Sequence, residues 1–172
     1  MTIREASPED AAGIAAVHVG SWRAAYAALL PPEFLDSLDV TERAAWWEAR
    51  LRAPDGPTVL VAPGPGGRLL GFSCLRPWPG GDLDPATTAE LAALYTLPEA
   101  WGTGLGRRLT EASVERLLDD GFRTALLWVF AGNERARRFY EAAGWRADGA
   151  VAREETGGVL LDELRYARHL SE

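Results

Sequence analysis

The sequence predicts one α/β domain across residues 1–172, a mixed sheet flanked by helices. Apolar runs short enough for strands lie at 58–62, 69–75, 91–97, 123–130, 145–152 and 159–168. They alternate with segments of helical period near 7–26, 39–53, 105–119 and 133–144. The breaks between them are short and rich in glycine and proline, as in PGPGG at 63–67, so no stretch reads as an interdomain linker.

In order, Thr2 to Glu5 reads as a short first strand with Ile3 inward. Ser7, Pro8 and Asp10 form a helix start: a capping residue, a proline at the first helical position and an acidic partner three residues after the cap. The helix runs through Ile14, Val17, Trp22 and Tyr26 and stops before Pro31-Pro32. After the segment PPEFLDSL, Asp39 and Glu42 form a second capping pair ahead of RAAWWEARLRA. Adjacent Trp46 and Trp47 point in different helical directions, so one is expected in the core and the other at a pocket.

Residues 58–62 and 69–75 read as neighbouring strands across PGPGG, and 76–88 as a loop with an acidic tip, Asp82 and Asp84. The stretch 90–109, ELAALYTLPEAWGTGLGRRL, then joins a mostly buried strand to a helix through Pro98 and the glycines 102, 104 and 106. Residues 123–130 supply another strand, Asn133 caps a helix that Gly144 ends, and Gly157-Gly158 joins the last two strands.

Glycines at a helix mouth allow close backbone approach, and the first amides of that helix lack intrahelical acceptors, so the turn suits a phosphate or pyrophosphate. A tight turn without ligand is the plainer alternative. The spacing matches neither the dinucleotide fingerprint nor an ATP-type loop, because Gly-Leu-Gly-Arg-Arg occupies 104–108.

Composition excludes other classes. Hydrophobic residues at 47 % with seven Trp argue against disorder, and a net charge of -7 argues against a general nucleic-acid binder while suiting an amine substrate. Cys74 is the only cysteine, so no intramolecular disulfide or cysteine metal cluster forms, and LLGFSCL reads as core. No His/Asp/Glu spacing calls for a metal. The N-terminus lacks the pattern of a signal peptide and no run has transmembrane length, so no membrane role and a cytoplasmic location are expected.

LYTLPEAWGTGLGRRL at 94–109, NERARRFYEAAGW at 133–145 and DELRYARHL at 162–170, with the opening IREASPEDAAGI and the helix containing SWRAAY, occur in an order that resembles the GNAT superfamily of acyl-coenzyme A dependent N-acetyltransferases. The resemblance covers essentially the whole chain. It implies a mostly antiparallel central sheet between helices, three layers α/β/α, and acetyl-CoA as acyl donor. Trp101 stands where that family's glycine motif usually has Arg or Gln, which leaves Arg107 or Arg108 to supply charge.

The resemblance implies that the pantetheine arm lies against Leu94, Tyr95 and Thr96, with Asn133 near it or acting only as a cap. The pyrophosphate is expected at Gly102, Thr103, Gly104, Leu105, Gly106 and Arg107, with Arg137 or Arg138 either nearby or on a solvated face. Tyr140 matches the general acid that protonates or stabilises the departing thiolate, Phe139 a core position, and Glu90 the group that deprotonates the amine, directly or through water. The Leu97 amide is expected to polarise the acetyl carbonyl.

His18 is read first as structural and second as a base, and His169 has a weaker case. The acceptor is expected between the N-terminal helices, the 76–88 loop and Tyr166, with Trp22, Tyr26, Trp46 and Trp47 as core or walls. Asp82 and Asp84 are either solvated or cation-attracting. The expected activity is acetyl transfer to a primary amine of a small molecule or polypeptide. A noncatalytic acyl-CoA binding module and a coenzyme-independent interaction domain are the alternatives. The family also allows a homodimer.

Overall fold

The computed structural model describes residues 2–171. Ser7 and Asp10 start the first helix as the sequence predicts: the Ser7 amide donates to Asp10 Oδ2, and Arg4 grips the same carboxylate at 2.8 and 2.9 Å. The turn Pro8–Asp10 feeds α1, Ala11–Ala25. PPEFLDSL folds as a short helix, α2, Pro32–Ser37, because Pro31 is extended and Pro32 takes the first helical position. Asp39 then accepts from the Glu42 amide at 3.0 Å and opens α3, Val40–Arg52.

The strands are β1 (Arg4–Glu5), β2 (Thr58–Pro63), β3 (Leu69–Pro77), β4 (Thr88–Thr96), β5 (Thr124–Phe130), β6 (Arg146–Thr156) and β7 (Val159–His169). They form one sheet in the order β1-β2-β3-β4-β5-β7-β6. All neighbours are antiparallel except β4 and β5, which run parallel. Two further helices, α4 (Leu105–Asp119) and α5 (Glu134–Ala142), complete the elements.

Helices cover both faces, giving three layers. Ile14, Val17 and Trp47 from α1 and α3 pack on Val59, Val61, Phe72 and Cys74. Leu109, Val114, Leu117 and Tyr140 from α4 and α5 pack on Leu75, Leu91, Leu127, Val129 and Tyr166. A buried Ser73–Ser113 hydroxyl pair at 2.8 Å ties β3 to α4 without leaving either polar group unpaired. No helix of the described residues is long and apolar enough to cross a membrane.

Two irregularities at β4 interrupt the regular pairing. On its β3 side the register passes from Cys74↔Ala93 to Leu75↔Leu91, so Ala92 has no partner and β4 bulges. On its β5 side pairing is confined to Thr88↔Thr124, Ala89↔Ala125 and Glu90↔Leu126. Beyond Glu90 the parallel strands part, and the sheet opens in its middle. The strand begins at Thr88 rather than Glu90 because β5 and β3 extend the pairing past Glu90, to Thr88 and Ala89 respectively.

Candidate active site

The opening between β4 and β5 is a cleft of 710 Å³ that passes from the α4/α5 face to the α1 face. Glu90, Leu94, Tyr95, Thr96, Gly102, Gly104, Gly106, Arg107, Asn133 and Tyr140 all line it. Residues predicted from separate stretches thus converge on one cavity.

The Leu97 amide donates to Leu70 O at 2.9 Å. Along an antiparallel ladder every second residue bonds the neighbour, so Leu94 and Thr96 turn their backbone groups away from β3 and into the gap. Thr96 O accepts from the Trp101 indole at 3.1 Å. Leu94 therefore offers the gap a backbone donor and an acceptor. The Leu97 amide is already engaged, so the expectation that it polarises a carbonyl is corrected.

Below this edge, Gly102 and Gly104 adopt φ of 76° and 86°, which side chains rarely tolerate. This conformation sets the amides of Gly102, Gly104, Gly106 and Arg107 at the start of α4 without an acceptor among the described residues. Four such donors at a helix N-terminus suit a pyrophosphate. Thr103 and Leu105 differ from the expectation because their amides are engaged, Thr103 N with Ala100 O at 3.3 Å and Leu105 N with Thr103 Oγ1 at 3.4 Å.

Arg135, which sequence reasoning missed, adds a charge at this end beside the expected Arg107. Its guanidinium lies 3.7 Å from the centre of the Trp101 ring and lines the cleft, with its pKa lowered by burial. Arg107 pairs with Glu111 at 3.0 Å, while Arg137 is bound to Tyr166 Oη and Ala131 O. Trp101 thus holds an arginine by its ring face. The available signal was position: Arg135 lies in the first turn of α5, two residues after Asn133, whose Oδ1 caps the helix by accepting from Ala136 N at 3.2 Å.

Tyr140 is 9 % exposed, and its hydroxyl has no hydrogen-bond partner among the described residues. Burial first, then Tyr95, pushes its pKa up, so it stays a protonated phenol. Glu90 is 5 % exposed, and Arg76 binds only its Oε1, at 2.7 and 2.6 Å. Oε2 is left facing the cleft. Both atoms lack a partner in the chain while belonging to largely buried residues that line the cleft, so a ligand there can complete their hydrogen bonding.

A second cavity of 780 Å³ meets the first at Trp22, Arg76, Ala92, Ala93 and Tyr95. Trp47 is 2 % exposed and Trp46 40 %, the split expected of adjacent helical positions; Trp46 stands between Arg43 and Arg50, 5.1 and 3.8 Å from its ring centre. His18 accepts from Trp47 Nε1 at 3.2 Å through Nδ1 and stacks on Tyr95 at 5.5 Å. Burial, then Arg43, lowers its pKa to about 4, so it is neutral at pH 7 and acts as a structural support.

Other expectations move. Tyr166 is 1 % exposed and faces α5, its hydroxyl donating to Glu141 Oε2 at 3.0 Å; Glu163 is the β7 residue in the cleft. Asp82 binds Trp78 Nε1 and Arg165, both at 2.7 Å, and Asp84 caps Ala86 N, so both organise the 78–87 loop. His169 is exposed at the far end of β7. Cys74 is buried, its thiol pushed up to about 12 by burial.

Known proteins share this architecture. Residues 21–145 match the model of the acetyltransferase (GNAT) family. An uncharacterised N-acetyltransferase of Bacillus subtilis, YuaI, is 35 % identical over 95 % of this chain and 90 % of its own length. The protein yncA of Salmonella typhimurium, solved with its cofactor acetyl-CoA, superposes with a TM-score of 0.74 at 26 % identity, covering 100 % of this chain and 95 % of the other. A ribosomal-protein-alanine N-acetyltransferase of Brucella melitensis gives 0.76 at 25 % identity over 99 % and 100 %.

Proposed function

Because the chain belongs to the GNAT acetyltransferase family, we propose that it moves an acetyl group directly from acetyl-CoA to a primary amine, without an acyl-enzyme. The observation that carries this reading is one cleft holding free glycine-turn amides at one end and unsatisfied Glu90 and Tyr140 oxygens beyond them. Acetyl-CoA supplies the acetyl group already activated as a thioester.

The residues divide the remaining work. The amides of Gly102, Gly104, Gly106 and Arg107 hold the pyrophosphate, with Arg135 beside them, and the Leu94 backbone aligns the pantetheine arm in place of a β5 neighbour. Glu90 Oε2 takes the proton that an ammonium must lose before its lone pair can attack. Tyr140 Oη, kept protonated by burial, gives its proton to the departing sulfur. One C–N bond forms and one C–S bond breaks; of the two protons an ammonium sheds on becoming an amide, the first passes through Glu90 to water and the second balances the one gained by the thiolate.

An assay of free thiol against acetylated amine tests the reading, with product mass as the second readout. Matched release of thiol and acetyl-amine is expected. Donor binding without transfer to any amine would favour the binding module, and no donor uptake would favour the interaction domain.

A further inference from the structure

The half of the cleft on the α1 face carries an uneven charge. Residues paired across strands share a face, so Ala152, Glu163 and Phe130 lie together, as do Trp128 with Arg165 and Glu154 with Leu161. Glu90, Glu154 and Glu163 all line the cavity there. Two guanidinium groups on the same face of the sheet are already committed: Arg76 to Glu90 at 2.6 Å, and Arg165 to Asp82 and Asp148 at 2.7 and 2.6 Å. Glu154 and Glu163 have no ion-pair partner among the described residues.

Burial, with Glu154 and Glu90 adding to it, pushes the Glu163 carboxyl up. An unpaired carboxylate held partly out of water is costly, and nothing in the chain relieves it. Three further groups on residues lining the same cavity also lack partners: the hydroxyl of Tyr140, 9 % exposed, Oε2 of Glu90, 5 % exposed, and the buried indole N–H of Trp22. Trp22, Tyr26, Trp128 and Phe130 supply the rest of the wall, and aromatic faces attract cations.

Resting on the acetyl-transfer reading, we propose that the acceptor is an amine carrying a second cationic centre, its reacting nitrogen at Glu90 and its distal charge held by Glu163 with Glu154. Glu163 is then a residue that selects the substrate and takes no part in proton transfer. A diamine neutralises the wall; a monoamine of equal length leaves it unpaired, and an amino acid of that length sets a carboxylate against it.

The test compares putrescine, butylamine and γ-aminobutyrate as acceptors. A charge-assisted contact corresponds to about 10-fold or more in kcat/KM, so putrescine is expected to lead butylamine by that ratio, with γ-aminobutyrate last. Glu163→Gln should erase most of the ratio through KM, Glu163→Lys should reverse the order toward γ-aminobutyrate, and Glu155→Gln, at an exposed position beside the wall, should preserve it. Retained acetyl-CoA affinity confirms that each variant is folded.

Equal kcat/KM for the three probes, or an unchanged ratio in both Glu163 variants, overturns the assignment. Calorimetry on coenzyme A-saturated protein separates it from the reaction itself. Putrescine binding that Glu163→Gln weakens, with no amine acetylated, would remove acetyl transfer and leave this wall standing. No putrescine binding would remove the wall.

Discussion

The two halves of the cleft are built from different materials. The donor half, from Leu94 through the 102–107 turn, presents backbone amides and carbonyls that strand splay and positive-φ glycines have left unpaired. The acceptor half presents side chains from five elements: Trp22 of α1, Arg76 of β3, Glu90 of β4, Glu154 of β6 and Glu163 of β7. Backbone recognition tolerates sequence change as long as the turn keeps its shape, whereas side-chain recognition changes with single substitutions. On the acetyl-transfer proposal, the chain can thus keep one donor while its acceptor varies.

Tyr140→Phe breaks the comparison at the point where the halves meet. Removing the proton donor is expected to lower kcat by about 10²–10⁴-fold, while calorimetric affinity for acetyl-CoA, set by the backbone, stays within about 2-fold. Parallel losses in both quantities would make Tyr140 a structural residue.

The aromatic support beneath the acceptor half is next. Trp47→Ala is expected to lower stability by about 3–5 kcal/mol, as loss of a buried Trp does, while Trp46→Ala changes it by no more than about 0.5 kcal/mol. Chemical denaturation of the two variants measures the difference. Equal losses would contradict the separate placements of the two rings.

His18 gives that support a pH dependence. Its folded pKa, lowered to about 4 from the ordinary 6.5, means that its contribution is fully present above 6.5 and is lost as pH falls toward 4. The shift corresponds to about 3 kcal/mol. Thermal denaturation between these limits should show a steep acid limb that His18→Phe flattens. The donor amides do not titrate and add nothing to that limb.

The smallest expected effect sharpens the donor side. Gly104→Ala forces a side chain into a left-handed conformation at a cost of about 1–2 kcal/mol, so donor affinity should fall by about 10-fold without a change in acceptor KM. A Cβ there meets nothing within 4 Å, so any loss comes from the backbone and not from a clash.

The same division explains what the sequence reveals. The glycine turn, the Asn133 cap, the Asp39–Glu42 pair and the alternation of elements are local patterns, and each lies where its spacing puts it. Glu90 and Tyr140 are legible because they sit inside motifs. The parting of β4 from β5 is not, since it depends on a bulge at Ala92 and on pairing between distant segments. The engaged Leu97 amide and the inward turn of Tyr166 come from that same register. Arg135 has a positional signal in the first turn of α5, but its contact with Trp101 depends on how α5 packs against the 98–104 turn, which the sequence does not show. Glu163 has one local trace, an acid at the inward-facing step of β7 after Val159 and Leu161.

Hydrogen exchange on the protein with and without acetyl-CoA tests the division most directly. The account predicts slowed exchange of the amides of residues 102–107 and of Leu94, with little change at Glu154 and Glu163 until an amine is added. Unchanged exchange across the glycine turn at saturating acetyl-CoA would contradict it.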